Sequence, residues 1–467
     1  MLEYMDYIVK AFEISTNWPA TASRNGAFSH MNGSGYNSVE FEDNMTATSD
    51  NLLNFYIPNV FKFQLSNKSS PFTFNTIDIT TKQSINGSFA YIYTNAENLD
   101  NIVKNTSNVN LLDIVDTYQV NNKKTRGKYS SKYQGKIKSL YYGRMYYPSS
   151  FLEAMVIKKF NPSTQVIVKW ISSSNNCNIV TGYLQRSNNR TFQEFVLSSN
   201  DFLCGYKLLH HFVESPSKFN NSLYNNSQLS VGAEAWLSVS NLSPTCSSTL
   251  RYCTHSASTG RPLMLTCSLN PIFGHLSSTY SAKTTSNSTC CVKYDFNLYS
   301  MESNLSLGTE IWKNNSEFTS NKIKVQNTHI ERNTSDISNK IPNSDKFTIS
   351  EEYHSISNDK QKKVLNDLNA TFTSSLQKID KERSLIENFQ NNMYDKNFTS
   401  VWKFSTSLRE KNLRILWNGK YKDFILVAGT ELLQQENKDE TTSDFNKNGF
   451  PYKFVTARLG FQIQYSS

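Results

Sequence analysis

The chain ends in ARLGFQIQYSS, residues Ala457 to Ser467, and this stretch decides how the rest is read. Counting from just before it, Val455, Ala457, Leu459, Phe461, Ile463 and Tyr465 are apolar, while Thr456, Arg458, Gly460, Gln462 and Gln464 are not. Successive side chains of a strand point to opposite faces, so a period of two predicts a strand with one apolar and one wet face. Gly460 falls on the wet face.

The pattern recurs upstream. Phe61, Phe63 and Leu65 alternate with Lys62, Gln64 and Ser66, and Ile85, Gly87, Phe89, Tyr91 and Tyr93 form a second run. Others are Val231 to Leu237, Leu263 to Leu269, Cys290 to Leu298, Trp402 with Phe404 and Leu408, and Phe424 to Leu432. Charges such as Glu234, Lys293, Asp295, Lys403, Glu431 and Arg458 occupy the other parity, and Glu310 too sits in mid-strand. Pro58, Pro71, Pro148, Pro162, Pro244, Pro262 and Pro271 stand between runs, where a missing ladder donor does no harm. The spacing predicts about nineteen strands of roughly nine to twelve residues, enough to cross a hydrocarbon core when tilted.

Two architectures fit alternation. In a soluble sandwich or propeller the apolar face meets another sheet, and strands are typically about five or six residues. In a membrane barrel the apolar face meets lipid, the polar face lines a lumen, and closure removes every edge. Strand length and hydrated mid-strand charges favour an all-β transmembrane barrel.

Composition agrees. The chain has 467 residues, a formal charge of +9, 29 Phe and 25 Tyr, and a mean hydropathy of −0.52. Without a run of about eighteen apolar residues it has no ordinary transmembrane helix. Glu3, Asp6, Lys10 and Glu13 interrupt the N-terminal MLEYMDYIVKAFE, which reads neither as a signal peptide nor as a mitochondrial transit helix. Leu2, Met5, Ile8, Val9 and Phe12 share a helical face, predicting a short amphipathic helix that lies on a membrane or, the weightier reading, packs inside the protein.

The chain therefore divides into residues 1–50, a helix and a flexible polar segment, and residues 51–312, barrel strands with a long polar loop at 95–136. That loop ends in the basic stretch Asn121 to Lys138, a solvated loop or a contact for anionic headgroups or an acidic partner. Residues 313–397 form a polar insertion with Leu365, Leu368, Phe372, Leu376, Ile379, Ile386, Phe389 and Met393 at helical spacing, and 398–467 supply the final strands.

No phosphate-binding loop, zinc-protease, serine-elbow or calcium-loop motif occurs, so neither catalysis nor a cofactor is announced. Seven cysteines without a CxxC pair do not make a disulfide scaffold. Cys246, Cys253, His255 and Cys267 resemble a metal cluster only in spacing, because strand parity sends Cys253 and His255 to one face and Cys267 to the other. The vicinal Cys290 and Cys291 likewise diverge. Tyr91 with Tyr93, and Tyr294 with Phe296, are outward aromatic pairs, read either as the girdle of a membrane barrel or as protein contacts.

SLYYGRMYYPSSFLEAM (Ser139 to Met155), PSKFNNSLYNNSQLSVGAEAW (Pro216 to Trp236), TGRPL from Thr259, NPIFGHLSSTYSAK (Asn270 to Lys283) and KYDFNLYSMESNLSLGTEIW (Lys293 to Trp312) together resemble the fungal mitochondrial distribution and morphology barrels. The likeness extends to MLEYMDYIVKAF, to NKSSPFTFNTIDIT from Asn67 and to the closing strand. It implies nineteen strands closed by a parallel first and last strand, as in the mitochondrial porins, with the N-terminal helix in or near the pore. It implies a mitochondrial outer-membrane location at ER contact sites and membership of the ER–mitochondria encounter structure (ERMES), where soluble lipid-transfer subunits bridge to an ER-membrane subunit and phospholipid is exchanged. It further implies partnership with the core barrel of the sorting and assembly machinery (SAM) and with subunits of the outer-membrane translocase. A porin-like metabolite channel is the alternative. The resemblance makes Tyr91 and Tyr93 candidate tether contacts, Tyr294 and Phe296 candidate assembly-machinery contacts, and Arg458, Gly460, Ile463 and Tyr465 a C-terminal barrel-sorting signal.

Overall fold

The computed structural model describes residues 3–16, 18, 42–115, 137–172, 178–212, 227–314, 398–436 and 452–467, apart from a few single positions, together with six residues between 368 and 389. Two helices come first, α1 (Tyr4–Ser15) and α2 (Glu42–Leu53). The strands follow as β1 (Val60–Ser70), β2 (Thr73–Thr81), β3 (Ile85–Thr94), β4 (Lys138–Tyr147), β5 (Leu152–Asn161) and β6 (Thr164–Ser172). They continue as β7 (Asn178–Ser187), β8 (Thr191–Ser198), β9 (Leu203–His211), β10 (Gln228–Ser238), β11 (Ser243–His255), β12 (Pro262–Asn270) and β13 (His275–Lys283). The last six are β14 (Ser288–Asn297), β15 (Ser303–Asn314), β16 (Phe398–Ser407), β17 (Asn412–Tyr421), β18 (Phe424–Glu436) and β19 (Tyr452–Ser466). Between β3 and β4 lie two single-turn helices, α3 (Leu99–Ile102) and α4 (Leu111–Ile114).

All nineteen strands form one sheet in which sequence neighbours pair antiparallel and β1 pairs with β19. Nineteen is odd, so strands that alternate in direction bring the first and last round pointing the same way. The closing pair is accordingly parallel, with Phe61 beside Phe461, Phe63 beside Ile463 and Leu65 beside Tyr465. Closure leaves no free edge.

The alternation maps onto inside and outside. In β19, Gln462, Gln464 and Ser466 are buried while Phe461, Ile463 and Tyr465 stand half-exposed on the outer wall. Glu234, Glu310, Lys403 and Glu431 are buried inside, and Leu265, Tyr280, Val292 and Tyr294 are exposed outside. An apolar exterior around a polar interior is the reverse of a soluble barrel, and suits a wall surrounded by hydrocarbon. Among the described residues no helix is long and apolar enough to cross a membrane. One slip interrupts the terminal rhythm. Glu431 pairs with Arg458 but Leu432 with Thr456, so the register slips by one residue and Ala457 is the extra residue of a bulge.

The lumen is occupied. The apolar face of α1, with Met5, Ile8, Val9 and Phe12 buried, packs against inward residues of the wall including Phe74, Ile92, Leu140, Ile157 and Ile425. Of the two places open to this helix, it takes the interior. Two expectations need correction. Residues 42–50 belong not to a flexible segment but to α2, which runs on to Leu53 and packs against the inner faces of β11 to β16. Its stripe is short, with Met45, Leu52 and Leu53 buried beside equally buried Thr46, Thr48 and Ser49. A helix lying on a polar lumen wall needs no wide apolar face, so periodicity does not reveal it. Its C-terminal carbonyls are met by the wall: Lys403 Nζ donates to the Asn51 carbonyl at 3.0 Å and Ser405 Oγ to that of Leu53 at 2.7 Å.

The second correction concerns residues 95–115, expected to be part of a solvated loop. They run inward. Leu99 and Val103 join the α1 core, while Leu111 and Val115 pack with Trp312, Phe398 and Val401. Thr106 exchanges hydrogen bonds with the backbone of Ser466 at 3.0 and 3.2 Å, tying this segment to the last strand. Residues 116–136, with most of the basic stretch, lie outside the described residues. In the insertion, Leu368, Thr371, Ser374, Leu385, Ile386 and Phe389 are helical as expected, with Ile386 buried and Leu368 exposed. The remaining stripe positions, Leu365, Phe372, Leu376, Ile379 and Met393, lie outside the description.

Candidate interaction surfaces and the closing seam

The residues singled out in the sequence fall at three separate places. The first is the seam. Ile463 lies between Phe63 of β1 and Leu426 of β18, and Tyr465 between Leu65 and Phe424, with its ring 5.5 Å from that of Phe424. Arg458 is in mid-strand, its Nε 3.4 Å from a Glu431 carboxylate oxygen whose partner oxygen accepts from Arg414 Nε at 2.8 Å. Gly460 faces inward opposite Val60 and Gly429. A Cβ there would overlap the carbonyl group of Pro58, which crosses directly over it.

Gly460 does not act alone. A Cβ on Gly429 would come 3.1 Å from Ile57 and 2.9 Å from Leu416, and one on Gly308 would come 2.7 Å from the Leu52 carbonyl oxygen. Three inward glycines, in β15, β18 and β19, thus make a floor over which the chain from Leu52 to Pro58 passes on its way into β1. Phe55 and Ile57 fill that path against Leu416 and Val427. The sequence signal for this floor is three glycines on the inward parity, which acquires meaning only once the tertiary approach is known.

The second place is the outer face of β3 and β4. Tyr91 and Tyr93 project outward, flanked by Phe89 and by Met145 and Tyr141 of β4, and the Tyr93 and Tyr141 rings are 6.2 Å apart. Opposite Tyr91 stands Gly143, which adds no side chain to shield it. The third place is β14, where exposed Tyr294 is flanked by Ser278 and Leu305, and Phe296 by Leu276 and Ser303. The two aromatic pairs lie on well-separated arcs of the wall, so they form two surfaces, not one.

Sequence inspection missed an ionic lock inside the barrel. Glu3, at the start of α1, accepts from Arg144 Nη1 of β4 at 3.2 Å and pairs with Lys62 of β1; Arg144 also pairs with Asp78 of β2 and donates through Nε to Ser88 at 3.0 Å. Burial alone would raise the Glu3 carboxyl, but Lys62 and Arg144 more than offset it and hold it at about 2. Further along α1, Tyr7 donates to the Ile102 carbonyl at 2.9 Å and Lys10 to that of Asp113 at 3.1 Å. The helix is therefore fastened at its start to the wall and along its middle to the inward loop.

On the far wall, Glu194 receives Gln185 at 2.8 Å and lies 3.6 Å from Lys207, whose ammonium faces the Trp236 ring at 5.1 Å. Trp236 spreads over Gly205 and donates to Glu234 at 3.2 Å. Glu310 lies 3.5 Å from Lys403 and accepts from Trp312. These contacts join neighbouring strands on the lumen side of the wall. No group of three or more His, Cys, Asp or Glu suited to a metal occurs among the described residues. Cys253 and His255 do share the inward parity and Cys246 and Cys267 the outward one, while Cys290 faces out and Cys291 packs inward on Leu52 and Leu53.

Comparison with known proteins matches this chain over its whole length. The profile of the family described as mitochondrial distribution and morphology protein 10 covers residues 1–467. Proteins of that name are similar to this chain in Vanderwaltozyma polyspora, at 53% identity over 468 residues, and in Zygosaccharomyces rouxii, at 46% over 478. A third, in Saccharomyces cerevisiae strain S288c, is 44% identical over 520 residues, and in all three cases the whole of both chains is covered. A family match along the entire chain, and full-length identity at this level, place the chain in the mitochondrial distribution and morphology protein 10 family.

Proposed function

We propose that this protein is a non-enzymatic barrel of the mitochondrial outer membrane that anchors an ER–mitochondria tether and assists the assembly of other outer-membrane barrels. The observation that carries the reading is the combination of an apolar outer wall with a lumen filled by α1, α2 and residues 95–115. Such a molecule is held firmly by lipid but is not built to pass solutes freely, so its work lies at its surfaces. The two separated aromatic arcs supply distinct surfaces for distinct partners: Tyr91 and Tyr93 for soluble lipid-transfer subunits of the encounter structure and its ER-membrane subunit, Tyr294 and Phe296 for the core barrel of the assembly machinery and for translocase subunits. Aromatic side chains are the usual anchors of such contacts. In this reading Arg458, Gly460, Ile463 and Tyr465 also serve, before folding, as the signal by which the insertion machinery receives the chain.

The test is a mild-detergent purification from mitochondria with the associated proteins identified by mass. Recovery of lipid-transfer tether subunits and of the assembly-machinery barrel supports the reading. Recovery of neither, together with a wide conducting pore in planar bilayers, overturns it in favour of a porin-like channel.

A further inference from the structure

Five turns on one rim of the barrel, joining β8 to β9, β10 to β11, β12 to β13, β14 to β15 and β16 to β17, carry large apolar side chains at their tips. Phe202 is 70% exposed, Leu242 76%, Phe273 53%, Met301 74% and Leu408 59%. Turn tips that face water ordinarily carry Gly, Asn, Asp or Ser. The contrast is visible on the same arc: the short turns of the opposite rim read SASTGR (Ser256 to Arg261) and TTSN (Thr284 to Asn287).

Backbone conformation sharpens the point. Phe202, Leu242 and Met301 have φ of 47°, 48° and 53°, the left-handed region that glycine and asparagine occupy readily and bulky side chains do not. In three turns of one rim the position best suited to a small or polar residue holds an exposed apolar one. Nor are these turns loose. Val239 N donates to the Phe202 carbonyl at 3.3 Å, Leu298 N to that of Gly274 at 2.7 Å, Tyr299 OH to that of Pro271 at 3.0 Å and Leu408 N to that of Leu305 at 3.0 Å. These bonds join the β8–β9 turn to the β10–β11 turn, and the β12–β13, β14–β15 and β16–β17 turns to one another, so the ledge is built of two laced sections. Of the charges on it, Arg409 pairs with Glu302 at 2.5 Å and Glu410 accepts from Asn412 at 2.7 Å, while Asp201 and Lys411 stand in the same turns.

We propose that this ledge is sunk in the acyl-chain region of one membrane leaflet, so that phospholipid chains cover the barrel rim from β8 to β17 instead of stopping at the strand ends. The occupant is lipid because the tips extend outward apolar columns of the wall, as exposed Tyr294 and Leu298 lead on to Met301, and Leu237 and Val239 to Leu242. The tips also follow the curve of the wall over about half its circumference instead of clustering in one patch. Headgroups on this arc must then lie beyond the rim, which turns the leaflet toward the barrel mouth and presents phospholipid chains where a lipid-transfer partner can reach them. The proposal rests on the membrane reading above.

The test uses the full-length protein reconstituted in phosphatidylcholine and phosphatidylethanolamine vesicles, with a photoactivatable benzophenone side chain placed singly at Leu242, Met301 or Phe202. Tyr280 on the outer wall serves as the membrane control, and Asn188 and Thr285 on the opposite rim as aqueous controls. Phospholipid adducts detected by mass at the rim tips and at Tyr280, at least tenfold above Asn188 and Thr285, are expected. Adducts at Tyr280 with none at the tips would overturn the ledge while leaving the membrane reading intact. No adduct at Tyr280 in a protein that keeps its strand content would overturn the membrane reading itself. Protein adducts replacing lipid at the tips in intact mitochondria would also sink the proposal, by showing a protein-docking rim.

Discussion

At the scale of single residues, the packing demand on Gly460 can be separated from its proposed part in a sorting signal. Alternation places it on the wet face, and a sorting signal accounts for a glycine there only before folding. The folded barrel demands one as well, because Pro58 lies over it. Gly460→Ala should therefore impair refolding of the purified chain in detergent, where no sorting machinery is present, by more than the about 1–3 kcal/mol usual for overpacking. Gly429→Ala, with closest contacts of 2.9 and 3.1 Å to flexible side chains, should stay within that range. Normal refolding of the Gly460 variant, read from heat-modified gel mobility, would leave the sorting signal as the sole reason for the glycine. Glu3 is the second residue with a measurable signature. Its carboxyl is depressed from 4.5 to about 2, so the lock contributes fully above the higher value and is lost only as pH falls through the lower one. Protease cleavage within α1 should stay slow at mildly acidic pH in the wild type, whereas Glu3→Gln should speed it severalfold at neutral pH; equal rates would remove the lock.

At the scale of elements, strands were legible and lumen helices were not, for the same physical reason. The wall separates lipid from water, so each strand writes its two environments into alternate residues. α1 was legible because it packs on inward apolar residues such as Phe74 and Ile92. α2 was not, because it lies on wall residues as polar as itself, and residues 95–115 were not, because their buried apolar side chains, such as Leu99, Val103, Leu111 and Val115, are scattered through a sequence that resembles a solvated loop. Parity also made the cysteines readable. In vesicles a water-soluble maleimide should reach Cys253 by way of the lumen and spare Cys267, with opposite results for a lipid-soluble reagent; a reversal would mean that the register of β11 and β12 is displaced by one residue. What parity does not supply is purpose, since an outward tyrosine looks alike in a girdle and in an interface. Tyr91→Ala with Tyr93→Ala should release tether subunits while barrel insertion and assembly-machinery binding persist. Retention of both partners would return the pair to the girdle.

At the scale of the whole molecule, the filled lumen predicts a low and intermittent conductance in planar bilayers for the intact chain. Replacing Ile8 and Phe12, both fully buried on α1, by Asp should expel that helix and raise the conductance severalfold; no change would mean that α2 and residues 95–115 suffice to block the pore. The parallel seam has a consequence for time as well as for shape. The segment from Leu52 to Pro58 is made early in synthesis, yet it lies against Gly460 in the strand made last. The N-terminal helices must therefore be stowed before or during the moment when β19 meets β1, much as cargo is loaded before a hatch is shut. A chain that closed empty would have to reopen to receive them, so whatever holds the unfinished barrel open also sets the time available for its contents to enter.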